Sequence, residues 1–192
     1  MLEAAYRLFS GRGYTVSMAA IAAEAGVAPQ TVTFTFHTKL ALLEKTLEFA
    51  VLGDDQPIPP YQREWFQQLH LEADPRRVLD AMVENTLPIL ERAAPLAIIF
   101  ETLSDDPEAT AYWARSEQMR HEGFRQHMEL LARNGGLKEG LTVDEATDIF
   151  FAVLSPQLFR ATVSGRSWGA ERWRAAIQRI LVNTLLPGGG QG

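Results

Sequence analysis

No cysteine occurs in this chain. That excludes disulfides, thiolate chemistry and cysteine-ligated zinc or iron–sulfur sites. No apolar run approaches the ~20 residues of a membrane span. Met1-Leu2-Glu3 opens an amphipathic helix rather than a charged stretch ahead of an apolar core, so no signal peptide is read and the cytoplasm is the expected compartment. A Gly-rich phosphate loop, a metal-ligand triad and a Ser/His/Asp set placed by motif are also missing, so no catalytic residue, metal or cofactor is assigned. Alternating apolar patterns of useful length are absent too, which leaves an all-α chain. Positive charge is scarce: 18 Lys and Arg stand against 24 Asp and Glu, for a net charge of −6. The deficit is uneven. In residues 1–50 Arg7, Arg12, Lys39 and Lys45 balance Glu3, Glu24, Glu44 and Glu48, so the whole excess lies beyond residue 50.

Residues 15–43, TVSMAAIAAEAGVAPQTVTFTFHTKLALL, carry the organisation. Ala19, Ala20, Ala22 and Ala23 are strong helix formers, and Ile21 and Ala25 give that helix a compact inner side. Gly26 follows, free to take φ > 0 just past a helix end. The chain restarts at Ala28-Pro29-Gln30, where Pro29 is tolerated only in a first turn because it has no N–H. Ahead of this pair an amphipathic helix with Leu2, Ala5, Leu8 and Phe9 on one side ends at Gly11 and Gly13. After it, Thr38 caps a further helix bearing Lys39, Leu42, Leu43 and Leu47. This is the layout of a helix-turn-helix, with residues 29–35 as the recognition helix. Gln30 can pair bidentately with adenine, and Thr31 and Thr33 can reach phosphates or a thymine methyl. Phe34 is open between the reading face and the domain core. Ser17, and His37, Thr38 and Lys39 at the start of the fourth helix, stand where free N–H groups suit a phosphate. For Ser17 and Thr38 simple capping explains the residue equally well.

Ala4-Ala5, Leu8-Phe9, Gly13-Tyr14, Ile21-Ala22, Ala25-Gly26-Val27, Thr31-Val32, Phe36 and Lys39 together resemble the N-terminal domain of the TetR family of bacterial transcriptional regulators. The resemblance implies an all-helical homodimeric repressor that binds double-stranded DNA at a palindromic operator. It also implies a C-terminal domain that takes a small-molecule effector. On this reading residues 1–47 form the DNA-binding domain, 48–187 the effector-binding and dimerisation domain, and 188–192 a disordered tail. Two positions depart from the family pattern. Thr33 stands where members generally have a tyrosine, and Met1 already lies inside the first helix, where members carry a basic arm upstream. A neutral first domain makes few ionic phosphate contacts, so weak, salt-sensitive binding is expected. The alternative is a TetR-like helical protein that has lost DNA binding and serves as a ligand-binding or interaction module.

Beyond residue 50 the stretch 54–61 (DDQPIPPY) reads as a loop, and residues 63–71 as one short helix. Asp74-Pro75 starts a helix that Pro88 is expected to kink or break, and Pro95 to open a separate one. Asp106-Pro107 starts the longest helix, to about Arg133. Thr142 to Glu145 starts another, to about Ser164, interrupted or bent near Ser155-Pro156, and the last runs from Ala170 to Leu186 and ends at Pro187. Phe151, Leu154, Leu158, Trp173, Ile177, Ile180 and Leu181 are expected at the dimer interface, against the simpler reading that these stripes only pack on each other. Trp65, Met82, Phe100, Trp113, Glu117 and His121 are candidate effector contacts, with Glu84, Glu101 and His127 as further polar candidates.

Overall fold

The computed structural model describes residues 1–53 and 58–188 and contains no strand among them. Of the expected loop at 54–61, residues 54–57 lie outside the described residues, as do 189–192 of the expected tail. Ten helices follow one another: α1 Leu2–Arg12, α2 Met18–Glu24, α3 Pro29–Phe36, α4 Lys39–Leu52, α5 Glu64–Gln68, α6 Pro75–Thr102, α7 Pro107–Arg133, α8 Val143–Val153, α9 Pro156–Arg166 and α10 Ala170–Leu185. Short 3₁₀ turns at Gly13–Thr15, Pro60–Gln62 and Leu69–Leu71 join some of them.

The chain forms two compact units, Met1–Pro57 with Glu91–Ala114, and Ile58–Leu90 with Arg115–Gly192. In the first, Phe9, Ile21, Val32, Leu42, Leu43 and Leu47 close one core with Leu96, Phe100 and Tyr112. Polar groups tie the same pieces together. Arg92 donates from Nε to the Ala50 carbonyl at 2.8 Å, and the Tyr112 hydroxyl donates to the Glu44 carbonyl at 3.1 Å. The N-terminal helices therefore do not close their core alone; residues 91–114 complete it.

Pro88 and Pro95 do not break the chain as expected. Both lie inside the continuous α6, which at 28 residues exceeds the 27 of α7. A proline inside a helix frees the carbonyl four residues back. Here those carbonyls belong to Glu84 and Glu91, both exposed, so water can satisfy them. Seven residues apart, the two prolines share the helix's outer side. The inner side buries Val78, Leu79, Met82, Val83 and Leu90, then Leu96, Ala97 and Phe100, and this packing holds the helix through both breaks.

In the second unit α8 begins with a reciprocal cap: the Thr142 side chain accepts from the Glu145 N–H while the Glu145 carboxylate accepts from the Thr142 N–H. Ser155 caps α9 by accepting from the Leu158 N–H. The expected dimer stripe needs correcting here. Leu154, Trp173 and Leu181 have no accessible surface and Ile177 has 2 %. A side chain with no surface has none to give to a partner, so these four are core of the unit itself. Trp173 meets Phe159 edge-on, with ring centres 5.3 Å apart. Phe151 and Leu158 are half-buried, and only Ile180 stands clearly in solvent.

Candidate nucleic-acid interface

The turn between α2 and α3 is built by Gly26 at φ 67°. The Val27 N–H donates to the Ala22 carbonyl at 3.0 Å and the Gly26 N–H to the Ala23 carbonyl at 3.1 Å. This paired pattern needs a left-handed residue at its centre, which an alanine would enter only with strain. Ile21 and Ala22, rather than Ile21 and Ala25, form the fully buried side of α2. Pro29 occupies the first turn of α3, as expected. Val32 is completely buried and pins α3 to the core, and Phe36 packs partly against it.

One anchored side fixes what the other presents. Ala28, Pro29, Gln30, Thr31, Thr33 and Phe34 are all exposed. Phe34, undecided from sequence, is 84 % exposed. Its ring therefore lies on the solvent side of α3 among short polar groups, and not against the domain core. The α3–α4 junction is strained: His37 takes φ 61° and ψ −53°, and the Thr38 N–H donates back to the Phe36 carbonyl at 2.6 Å. This tight turn leaves only His37 and Thr38 between the end of α3 and the start of α4.

Ser17 and Thr38 do cap. Ser17 accepts from the Ala20 N–H at 3.1 Å and Thr38 from the Ala41 N–H at 3.0 Å. Each hydroxyl keeps its own proton free to donate. Lys39 is held differently from a phosphate-seeking side chain. Its Nζ donates to the Tyr14 carbonyl at 2.7 Å and lies 4.1 Å from the centre of the Tyr14 ring. Burial, with Asp106, Glu108 and Glu44 nearby, raises the pKa of the Tyr14 hydroxyl above its ordinary value. Arg7 is paired with Glu24 at 2.9 Å and Lys45 with Glu48 at 2.7 Å. Three of the four cations in residues 1–50 are therefore engaged inside the unit. Lys39→Met is expected to lower stability by about 1–2 kcal/mol in urea unfolding, through the lost bond and ring contact.

The six candidate effector contacts do not converge. Phe100 and Trp113 belong to the first unit, where Phe100 stacks on Tyr112 and on Trp113 with centres 5.1 and 5.5 Å apart. Phe100 is core of that unit, and Trp113 packs partly buried against it. Met82 is fully buried in the second unit. Glu117 spends both carboxylate oxygens on Arg120, at 3.0 Å each, while His121 faces Asp148 at 2.9 Å. Glu117 and His121 thus take different partners. Among the described residues no group of three His, Asp or Glu is placed to hold a metal. Trp65 remains, against a histidine whose setting the sequence did not disclose. His127 is buried, with Phe66, Phe124, Phe150 and Trp65 around its ring at 4.6, 5.9, 6.0 and 6.0 Å.

Comparison with known proteins bears on the whole arrangement. Residues 1–46 match the family described as bacterial regulatory proteins, tetR family. No curated protein sequence matches the chain. Among solved structures it is similar to a putative transcriptional regulator from Saccharomonospora viridis in complex with choline. That likeness has a TM-score of 0.73 at 20% identity over 96% of this chain and 95% of the other. It is similar to the regulator FadR from Bacillus subtilis in complex with stearoyl-CoA, with a TM-score of 0.73 at 17% identity over 94% and 95%. It also resembles NalD, the secondary repressor of the MexAB-OprM multidrug efflux pump in Pseudomonas aeruginosa. There the TM-score is 0.67 at 20% identity over 100% and 95%. No helix among the described residues is long and apolar enough to cross a membrane. Residues 1–46 thus carry the helix-turn-helix pattern of the tetR family of bacterial regulatory proteins, and the chain as a whole shares the all-helical fold of these solved transcriptional regulators.

Proposed function

We propose that the chain is a homodimeric transcriptional repressor that reads a palindromic operator with α3 and leaves it when a small molecule binds the second unit. The observation that carries this reading is the division of α3 between a buried Val32 and the exposed Gln30, Thr31, Thr33 and Phe34. Gln30 pairs with an adenine edge, and Phe34 and the threonine methyls meet thymine methyls. Ala28 and Pro29 bring the helix N-terminus to the backbone, where Ser17, Thr38 and the exposed His37 donate to phosphates. Lys39 adds its remaining ammonium protons. With most cations of the domain already paired, affinity rests on base edges more than on ionic contacts, and binding is weak at physiological salt.

Two copies associate through the outer side of α8–α10, with Ile180 and Leu158 as apolar contacts, and this pairing matches a two-fold operator. The effector reading draws on the similar regulators that carry choline or stearoyl-CoA. The protein acts by binding and performs no chemistry.

Selection from a random duplex pool tests the proposal. A palindromic winner is expected, and Gln30→Ala is expected to weaken it by about 1–3 kcal/mol, roughly 5- to 150-fold, while relaxing preference at one base position. A change of about 1 in the salt slope on Lys39→Met reads its phosphate contact separately from its structural one. The engaged state of Arg7, Lys39 and Lys45 favours a second reading, a TetR-like module without DNA activity. Enrichment of no sequence at low salt would overturn the repressor reading for this chain.

A further inference from the structure

Most buried polar groups in the second unit have partners; His127 is only half satisfied. Its Nδ1 lies 2.8 Å from the Gly123 carbonyl. A carbonyl only accepts, so Nδ1 carries the proton and Nε2 is left with a bare lone pair. That Nε2 is buried, and no protein group among the described residues gives it a hydrogen bond. A buried acceptor without a donor is costly enough that native structures rarely keep one. Four aromatic rings pack around it: Phe66 and Trp65 from α5, Phe124 from α7 and Phe150 from α8. No charged side chain perturbs the imidazole. Burial alone pushes its pKa down, to about 4, so at neutral pH the ring is an uncharged acceptor in an apolar setting.

We propose that His127 and these four rings form the recognition end of the effector site, and that the occupant is a neutral aromatic molecule carrying one hydrogen-bond donor for Nε2. The inference rests on the effector reading given above and narrows it to one chemical class. The apolar walls supply area, and the single lone pair supplies the selection for a donor. A charged ligand would lose its hydration here and gain no counter-charge. The route of access we infer is the α5 side. Trp65 and Phe66 sit on a five-residue helix between two 3₁₀ turns, an element that opens locally at lower cost than the long helices beneath it.

Indole and indene separate the terms, since they share size and shape and only indole has an N–H. Titrated into the full chain and read by calorimetry, indole is expected to bind roughly 3- to 10-fold tighter than indene. In His127→Leu that preference is expected to vanish while indene still binds. Should the variant fold poorly, the ¹⁵N shift of the His127 Nε2 in the unmodified protein gives the same answer: indole moves it and indene leaves it in place. Equal affinities, a preference that survives His127→Leu, or no binding of either compound overturns the proposal. Operator release by other compounds that persists in His127→Leu would leave the effector reading standing and remove only this site.

Discussion

Trp173→Ala is expected to lower the unfolding free energy by about 3–5 kcal/mol, the range for emptying a large aromatic site in a core. Trp173 has no accessible surface and packs edge-on against Phe159, at the centre of the α9–α10 contact. Its neighbours along the stripe, Ile177, Leu181 and Leu185, are equally enclosed, so the cavity has no flexible wall to collapse onto it. The measurement is a urea titration at two protein concentrations. A core residue lowers the midpoint by the same amount at both, whereas an interface residue acts through dissociation and its effect grows on dilution. Ile180→Glu is the matching control, because Ile180 is 44 % exposed on the same helix. On the proposed pairing it is expected to shift the protein towards monomer and to leave the unfolding of the monomer nearly unchanged. Trp173→Phe is expected to cost far less than alanine. The indole Nε1 is buried without a hydrogen-bond partner, so phenylalanine gives up some area but removes an unsatisfied donor. A midpoint loss that disappears at high concentration would return Trp173 to the interface.

Why the burial of the α10 stripe was not legible and the helix ends within residues 1–52 were comes down to the range of the interactions that decide each. Gly26, Pro29, Ser17, Thr38 and the Thr142–Glu145 pair act within four residues of themselves, and each ends or starts a helix where the sequence places it. Periodicity is local as well. The spacing of Trp173, Ile177 and Leu181 shows that one side of α10 is buried, but an apolar stripe has no mark for which surface buries it. The prolines err in the opposite sense. Taken alone, Pro88 and Pro95 are helix breakers, and only the long inner face of α6, packed in tertiary contact, keeps the helix whole. The exposed side of α3 was legible because an eight-residue helix with a single buried valine has little choice about what it exposes. Phe34 still needed the structure, since an aromatic residue beside Val32 could have turned either way. His127 is the extreme case. In sequence it is one of several polar residues on the middle helices, and its four aromatic neighbours come from three separated elements.

Acid is expected to destabilise the protein through that same histidine. Burial holds the imidazole neutral in the folded state, with a pKa lowered to about 4 against the ordinary 6.5. Above pH 6.5 neither the folded nor the unfolded chain is protonated there, and the full stability is present. Between 6.5 and about 4 the unfolded chain binds a proton that the folded chain does not, so stability falls as the pH falls. Below about 4 both forms are protonated and the loss is complete, at about 3 kcal/mol from this one group. Glu145 works in the same direction at lower pH, since its bonds to the Thr142 N–H and hydroxyl hold its carboxyl below the usual range. Asp80 opposes both: burial raises its carboxyl pKa, so its protonation favours the folded chain as the pH drops. The histidine's window lies above the ordinary carboxylate range, which separates it from the acids. Denaturation midpoints at half-unit steps from pH 7.5 to 4 should therefore decline in the unmodified protein and flatten in His127→Leu between 6.5 and 5. A decline that persists unchanged in His127→Leu would mean the imidazole is hydrated and titrates normally when folded. A donor that occupies Nε2 would deepen the dependence, because its bond is lost as soon as that nitrogen takes a proton. Indole is then expected to stabilise the protein at pH 7.5 and to lose its effect as the pH approaches 4.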